Sequence, residues 1–302
     1  MKVKNLKNHI VKRSDFVSMI VSFSHILFVF FPLFISTYFN SIILTVLSFI
    51  WVGVFVNGVI NLMHESAHRL VFKKKSYCDF LGDFILGPLL ITDFKAYRNR
   101  HWVHHNKLGS EEDTKFIYKK KIKGFNFIIF FFECMFLKEG IAKFIYQFRN
   151  RSKTKISIGF FVKTVSIQAI LFSLMFFSQM SFSNQSLEDV FINTILSYVF
   201  VYLYSLASLG VFFSSLRAIA EHQTNNNVNE HHHGNAILRN LKSNFLTNLI
   251  FGSYGFADHA THHEYPSIPS YNLKKFRKEI EEDNIVLKPT KGYFEILRDC
   301  VI

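Results

Sequence analysis

Cysteine is scarce in this chain of 302 residues: Cys78, Cys134 and Cys300 stand far apart, and no CxxC pair exists. A disulfide scaffold and a thiolate zinc site are both excluded. Five prolines and 13 glycines leave no room for a collagen repeat or a proline-rich linker, and there is no internal repeat. Charged residues make up only 19% of the chain, against roughly 25% in an average soluble domain. Glycine-rich nucleotide fingerprints are missing as well. In their place stand 49% apolar residues, 37 of them phenylalanine, which exclude disorder and fit an ordinary soluble enzyme poorly.

The apolar residues are gathered in runs. Residues 16–39, 41–63 and 190–213 carry no formal charge, and residues 156–182 carry one, Lys163. Each run is long enough to cross a hydrocarbon core of about 30 Å. The fold expected is therefore all-α: a polytopic membrane protein with four transmembrane helices in two hairpins, read as one domain over residues 1–302. A mean hydropathy of only +0.18 fits, because the rest of the chain is polar and basic. The basic arm before the first span resembles a signal-peptide n-region, but the apolar run is too long, lacks a small-residue cleavage site and is followed at once by a second span.

A net charge of +13 would suit nucleic acid, yet its distribution says otherwise. Of 35 Lys and Arg, five lie at or before Arg13, 19 within residues 65–155 and ten from Arg217 onward, while the short connections near Asn40 and residues 183–189 have none. The positive-inside rule then puts both termini and the long loop in the cytoplasm, with a bacterial inner membrane expected ahead of an ER membrane. Residues 80–91 and 125–137 are apolar but too short to span, and are expected to be interfacial or re-entrant. The first would be interrupted by Gly82, Gly87 and Pro88, and the second bears Glu133. Residues 241–257 form a similar short stretch, and the Asn- and Gln-rich residues 223–229 read as a flexible loop.

Nine of the 14 histidines fall into spaced sets. His64 and His68 bracket Glu-Ser-Ala; His101, His104 and His105 form one HxxHH, and His259, His262 and His263 another; His222 follows the fourth span. Spacings of three and four place imidazoles on one helical face. The first set begins where the second span ends and His222 lies nine residues past the fourth, so both helices would deliver side chains just beneath the membrane. Eight or nine neutral imidazoles exceed the four positions of a tetrahedral zinc, so two metals are expected. Imidazole suits Fe, Cu, Zn or Ni, and spacing does not choose among them.

His64-Glu-Ser-Ala-His68, His101-Trp-Val-His-His105 and His259-Ala-Thr-His-His263 followed by Glu264-Tyr-Pro-Ser-Ile-Pro resemble the three histidine boxes of the membrane fatty acid desaturase and hydroxylase superfamily. The stretches that carry the likeness, residues 61–113 and 217–273, cover about a third of the chain. The resemblance implies a di-iron centre that activates O2 and removes hydrogen from an unactivated carbon of a lipid chain. Carried over by motif, the eight box histidines would bind two Fe ions, with His222 as a ninth ligand and no catalytic residue beyond the ligands. Many relatives carry Asn shortly before the last box, where this chain has Ala257 and Asp258; Asn248 and Asn244 are the nearest amides. Glu65, Glu221, Asp258 and Glu264 are candidates to orient a ligand through its other ring nitrogen. Uncompensated metal charge in an apolar surround favours an electrophilic oxidant. The reaction implied is fatty acid desaturation, with hydroxylation of a fatty acid or other hydrophobic substrate as the alternative, since the two diverge only after the first hydrogen is removed. Electrons would come from a separate donor, such as a ferredoxin or a cytochrome with its reductase.

Two other classes compete. His64-Glu65-Ser66-Ala67-His68 also fits the HExxH of zinc peptidases, in which Glu is the general base. That reading leaves six or so clustered histidines unexplained. A membrane metal transporter would use polar residues at mid-membrane, where the spans offer essentially Lys163 and His25. The consecutive His231, His232 and His233 do not share a helical face and read as a solvated loop. Basic runs at residues 73–75 and 119–121 would attract anionic headgroups or an acidic electron carrier. Asn184-Gln185-Ser186 is a glycosylation sequon.

Overall fold

A computed structural model describes residues 6–39, 41–115, 117, 120, 122–149, 158–182, 185–222, 231–233, 236–280 and 287–301. Helices α1 (Asp15–Phe39) and α2 (Ile42–Ala67) form the first hairpin. The shorter helices α3 (Phe94–Lys107), α4 (Phe125–Met135) and α5 (Lys138–Arg149) follow. A second hairpin of α6 (Ile158–Phe182) and α7 (Leu187–His222) precedes α8 (His259–Glu264), α9 (Ser270–Ile280) and α10 (Tyr293–Val301). Four of these, α1, α2, α6 and α7, are long and apolar enough to cross a membrane, as the sequence predicts.

The fourth helix runs past its apolar stretch to His222, as delivery of that side chain requires. Beyond Phe213 the sequence turns amphipathic, and every residue from Ser215 to His222 is buried, so the helix continues as a packed element instead of ending with the apolar run. Its 36 residues measure roughly 54 Å against a hydrocarbon core of about 30 Å. Two π-helical stretches, Tyr198–Tyr204 and Leu206–Gly210, widen it midway and rotate the face it presents beyond them. Glycines let neighbours reach α7 closely: a Cβ on Gly53 of α2 would lie 2.4 Å from Leu209 Cβ, and one on Gly140 of α5 would lie 2.3 Å from the Ala207 carbonyl oxygen.

The single charge within the third span is partnered. Lys163 Nζ reaches Asp83 Oδ2 at 2.6 Å, from a short helical segment that does not span. Gly82 and Gly87 do not interrupt that segment as expected, since residues 75–89 stay helical through a π turn at Leu81–Leu86. A Cβ on Gly82 would lie 2.1 Å from Phe94, so this glycine seats the first residue of α3. In α4, Glu133 pairs with Lys138.

One antiparallel ladder departs from the helical plan. Strands β1 (His231–His233) and β2 (Ala236–Leu238) pair His231 with Leu238 and His233 with Ala236, so the backbone of the histidine triplet lies in a strand where a loop was expected. The expected loop at residues 223–229, Asn184 of the sequon, and Lys119 and Lys121 of the second basic run lie outside the described residues.

Candidate metal centre

Helical angle explains how the boxes are used. At about 100° per residue, the first and last histidines of HxxHH lie about 40° apart on the helix, with the middle one about 60° to the other side. One box therefore faces two ways. In α3, His101 and His105 turn to one group, with His64, His68 and His262, while His104 joins His222, His259 and His263 in a second. In α8 the roles exchange: His262 serves the first group, and His259 and His263 the second. All nine histidines singled out in the sequence are thus gathered, five in one group and four in the other, with ligand atoms within 4.8 Å of one another in each. The groups adjoin, since the His105 and His263 rings stack with centroids 4.0 Å apart.

The scaffold aims them. The last turn of α2 carries His64 and its C-cap is His68; Arg69 then takes a left-handed φ of 59° and pairs with Asp79. Asp93 caps α3 by accepting from the Ala96 N–H at 3.0 Å. Before α8 the chain turns through Tyr254 (φ 55°) and Gly255 (φ 76°), and the short helix is strapped down as Ala260 N–H donates to the Arg239 carbonyl and Thr261 N–H to Asn240 Oδ1. Asn61, fully buried on α2, donates to the carbonyls of Phe251 and Ser253 at 3.0 and 2.9 Å and accepts from Arg217 of α7. It ties both long helices to the segment that leads into the third box.

The nitrogens are placed to receive cations. His68 Nε2 lies 2.7 Å from His101 Nε2 and 3.2 Å from His262 Nε2, and His101 Nε2 also lies 3.0 Å from His105 Nε2. In the second group His259 Nε2 is 2.9 Å from His222 Nε2. A neutral ring nitrogen makes one in-plane hydrogen bond, so one nitrogen facing two others is left unsatisfied unless a cation shares the lone pairs. Metal–imidazole bonds of about 2.1 Å suit this spacing. Both nitrogens of His64, His104 Nε2 and His263 Nε2 are buried without a hydrogen-bond partner among the described residues. Burial also keeps the rings neutral: desolvation pushes His68 down to about 3, His104 to about 4 and His105 to about 2, and holds His101, His259, His262 and His263 well below the usual histidine range. Their lone pairs are free of protons at neutral pH.

The carboxylates divide differently from the sequence expectation. Glu65 accepts from the Ser270 N–H at 3.3 Å at the start of α9, which is also not where the general base of a zinc peptidase belongs. Asp258 pairs with Arg277, and Glu264 is exposed beside Tyr265. Of the four candidates, Glu221, wholly buried, is the one whose side chain approaches a clustered histidine, at 3.7 Å from His259 Nε2. The amide substitute Asn244 is engaged as a cap, accepting from the Thr247 N–H. The carboxylate that sequence reasoning missed is Asp113, which accepts from His104 Nδ1–H at 2.8 Å and is itself held by the N–H groups of Gly109 and Lys115. That bond fixes the tautomer and turns His104 Nε2 toward the second group. Asp113→Asn is expected to keep the fold but weaken metal binding about 10- to 100-fold, as read by metal titration.

A cavity of about 760 Å³ opens beside the histidines, reaching His64, His101 and His104, and its lining includes apolar residues of α2 and α7 such as Val56, Ile60 and Leu206.

A family profile described as "Fatty acid desaturase" matches residues 40–290. The chain belongs to the fatty acid desaturase family. Together with its four apolar helices, this makes it a multi-pass membrane protein whose clustered histidines are compatible with a metal site. It is also similar to a protein of Bradyrhizobium elkanii named dihydrorhizobitoxine desaturase, 28% identical over 257 residues. That likeness covers 77% of this chain and 66% of the relative, so the chain spans about two thirds of the relative's length. No solved structure matches the chain.

Proposed function

We propose that this chain is an O2-dependent di-iron oxidoreductase that introduces a C=C bond into a fatty acyl chain. The observation that carries the reading is the sorting of nine buried histidines into two adjoining groups in a chain of the desaturase family. His64, His68, His101, His105 and His262 would hold one iron, and His104, His222, His259 and His263 the other. Two irons bound there would supply the activation of O2 needed to remove hydrogen from an unactivated carbon.

The chain's own residues do the rest. Asp113 holds the tautomer of His104, and Glu221 lies against His259. The apolar lining from α2 and α7 positions an alkyl chain over His64 and His101 while keeping water from it. Desaturation is favoured as the outcome because the similar protein of Bradyrhizobium elkanii is named a desaturase. The lack of any nucleotide fingerprint supports a separate electron donor, a ferredoxin or a cytochrome with its reductase. Trp102 is exposed and touches His68 edge-on at 4.9 Å between ring centroids, which offers that donor a short path. The charge distribution supports termini and histidine layer on the cytoplasmic side, and the similar bacterial protein supports a bacterial inner membrane.

Metal analysis of detergent-purified protein tests the reading. Near two irons per chain is expected, and acyl-chain profiles of expressing cells are expected to show new double bonds. New hydroxyls in their place would make the enzyme a hydroxylase, and one zinc without iron would overturn the oxidase reading in favour of a peptidase.

A further inference from the structure

A segment that no motif marks is tied to two of the histidine boxes at once. Residues 9–15, which lead into α1, precede the stretch matched by the family profile. On the α2 side, Lys12 Nζ donates to the carbonyls of Arg69 and Phe72, the latter at 3.1 Å, and Asp15 Oδ1 accepts from the Lys73 N–H at 2.5 Å. On the α9 side, Asn272 Nδ2 donates to the carbonyls of His9 and Val11 at 2.9 and 3.1 Å, and the Arg13 N–H donates to Tyr271 Oη at 2.6 Å. Buried His9 adds a contact of 2.8 Å with Glu279 Oε2, and the Arg13 guanidinium lies 4.1 Å over the Tyr271 ring.

Both anchorages are exits from the site. Arg69 follows His68 directly, and α9 begins at Ser270, seven residues after His263. Across the first group, His68 Nε2 and His262 Nε2 stand 3.2 Å apart, one from each of these boxes. The bond from the Ser270 N–H to Glu65 also joins the two exits, but at 3.3 Å it is long. Arg13 lies beside that link, lining one small cavity with Glu65, Ser270 and Tyr271. Lys12 suits the other end: carbonyls past a helix C-terminus carry partial negative charge, and an ammonium with three donors holds two of them together. Ligands must be held to within about 0.5 Å to share a metal, so a second tie between the exits bears directly on the site.

Resting on the reading of the site as a metal centre, we propose that residues 9–15 form a clasp that ties the exit of the first histidine box to α9 beyond the third and so sets the spacing of His68 and His262. Lys12 and Arg13 are its positioning residues.

Backbone hydrogen exchange of the metal-free full chain in detergent, followed by Co2+ titration read by visible absorption, tests this. In the parent, the amides of Arg69 and Leu70, which donate to the Ser66 and Glu65 carbonyls, and those of α9 are expected to be protected. Lys12→Met is expected to speed exchange about tenfold in residues 69–73 and in α9 together, and to weaken Co2+ binding about tenfold with an altered absorption spectrum. Asn272→Ala, which cuts the other end, is expected to speed exchange at residues 69–73 as well, although it does not touch them. Lys12→Arg, which still donates to the carbonyls, is expected to keep the parent behaviour, and so is Lys7→Met, exposed on the same arm. Melting of each variant separates an opened clasp from an unfolded chain. Exchange that rises only beside the substituted residue overturns the proposal, as does Co2+ bound by Lys12→Met as tightly as by the parent. A parent that takes up no Co2+ while both segments still open together sinks only the metal assignment; a parent that binds Co2+ with variants indistinguishable from it sinks only this inference.

Discussion

His101→Ala is expected to abolish turnover and to strip metal from the first group of histidines. Its Nε2 lies 2.7 Å from His68 Nε2 and 3.0 Å from His105 Nε2, at the middle of the row of converging nitrogens, and its ring is buried. Removing it takes one of five donors from the group and leaves a void beside His68 and His105, the two it approaches most closely. Iron per chain is expected to fall from the proposed two toward none, with product below detection. Melting in detergent and elution as a single species distinguish loss of metal from loss of fold. His232→Ala, from the triplet outside both groups, is expected to change neither metal nor product. Normal turnover by His101→Ala would end the ligand assignment.

Arg217→Met is expected to be the most destabilising single change outside the histidines. Arg217 is buried on α7, donates to Asn61 Oδ1, lies 4.2 Å over the Phe256 ring and faces the fully buried Glu221 at 3.6 Å. Taking away one partner of a buried charge pair costs roughly 3–5 kcal/mol, because the other charge stays buried and loses the counter-charge beside it. The variant is expected to aggregate or melt far below the parent. Removing both charges, in Arg217→Met with Glu221→Gln, is expected to recover a large part of that loss, since the remaining charge of the pair has gone too. A double variant no more stable than the single one would mean that Arg217 acts through Asn61 and Phe256 instead.

What could be read in advance depended on how far apart in the chain the cooperating residues lie. Uncharged runs of 23 residues or more announce spans by length alone, and imidazoles three and four residues apart announce a shared face. The division of each HxxHH between two groups was implicit in the same angles. Asp113 was hidden because it meets His104 from nine residues downstream in an irregular stretch, which no period marks. Glu65 sits inside a recognisable motif, yet its contact is with Ser270, about 200 residues later, so its direction could not be foreseen. The extension of α7 to His222 was legible from the position of that histidine nine residues past the apolar run, but the burial of every residue from Ser215 onward was not. Gly82 and Gly87 look like interruptions in sequence, and only the approach of Phe94 shows that a missing side chain was needed there.

Because α3 and α8 each face both groups, neither half of the histidine layer is an independent module. A slight roll of α3 that brings His101 and His105 closer to their neighbours carries His104 in the same rotational sense, and the second group feels the same movement. Inserting one residue within either box would turn its later histidines by about 100° and disorder both groups at once. Occupancy of one group should stiffen the other, so metal uptake is expected to look nearly all-or-none, with singly loaded chains a minor species.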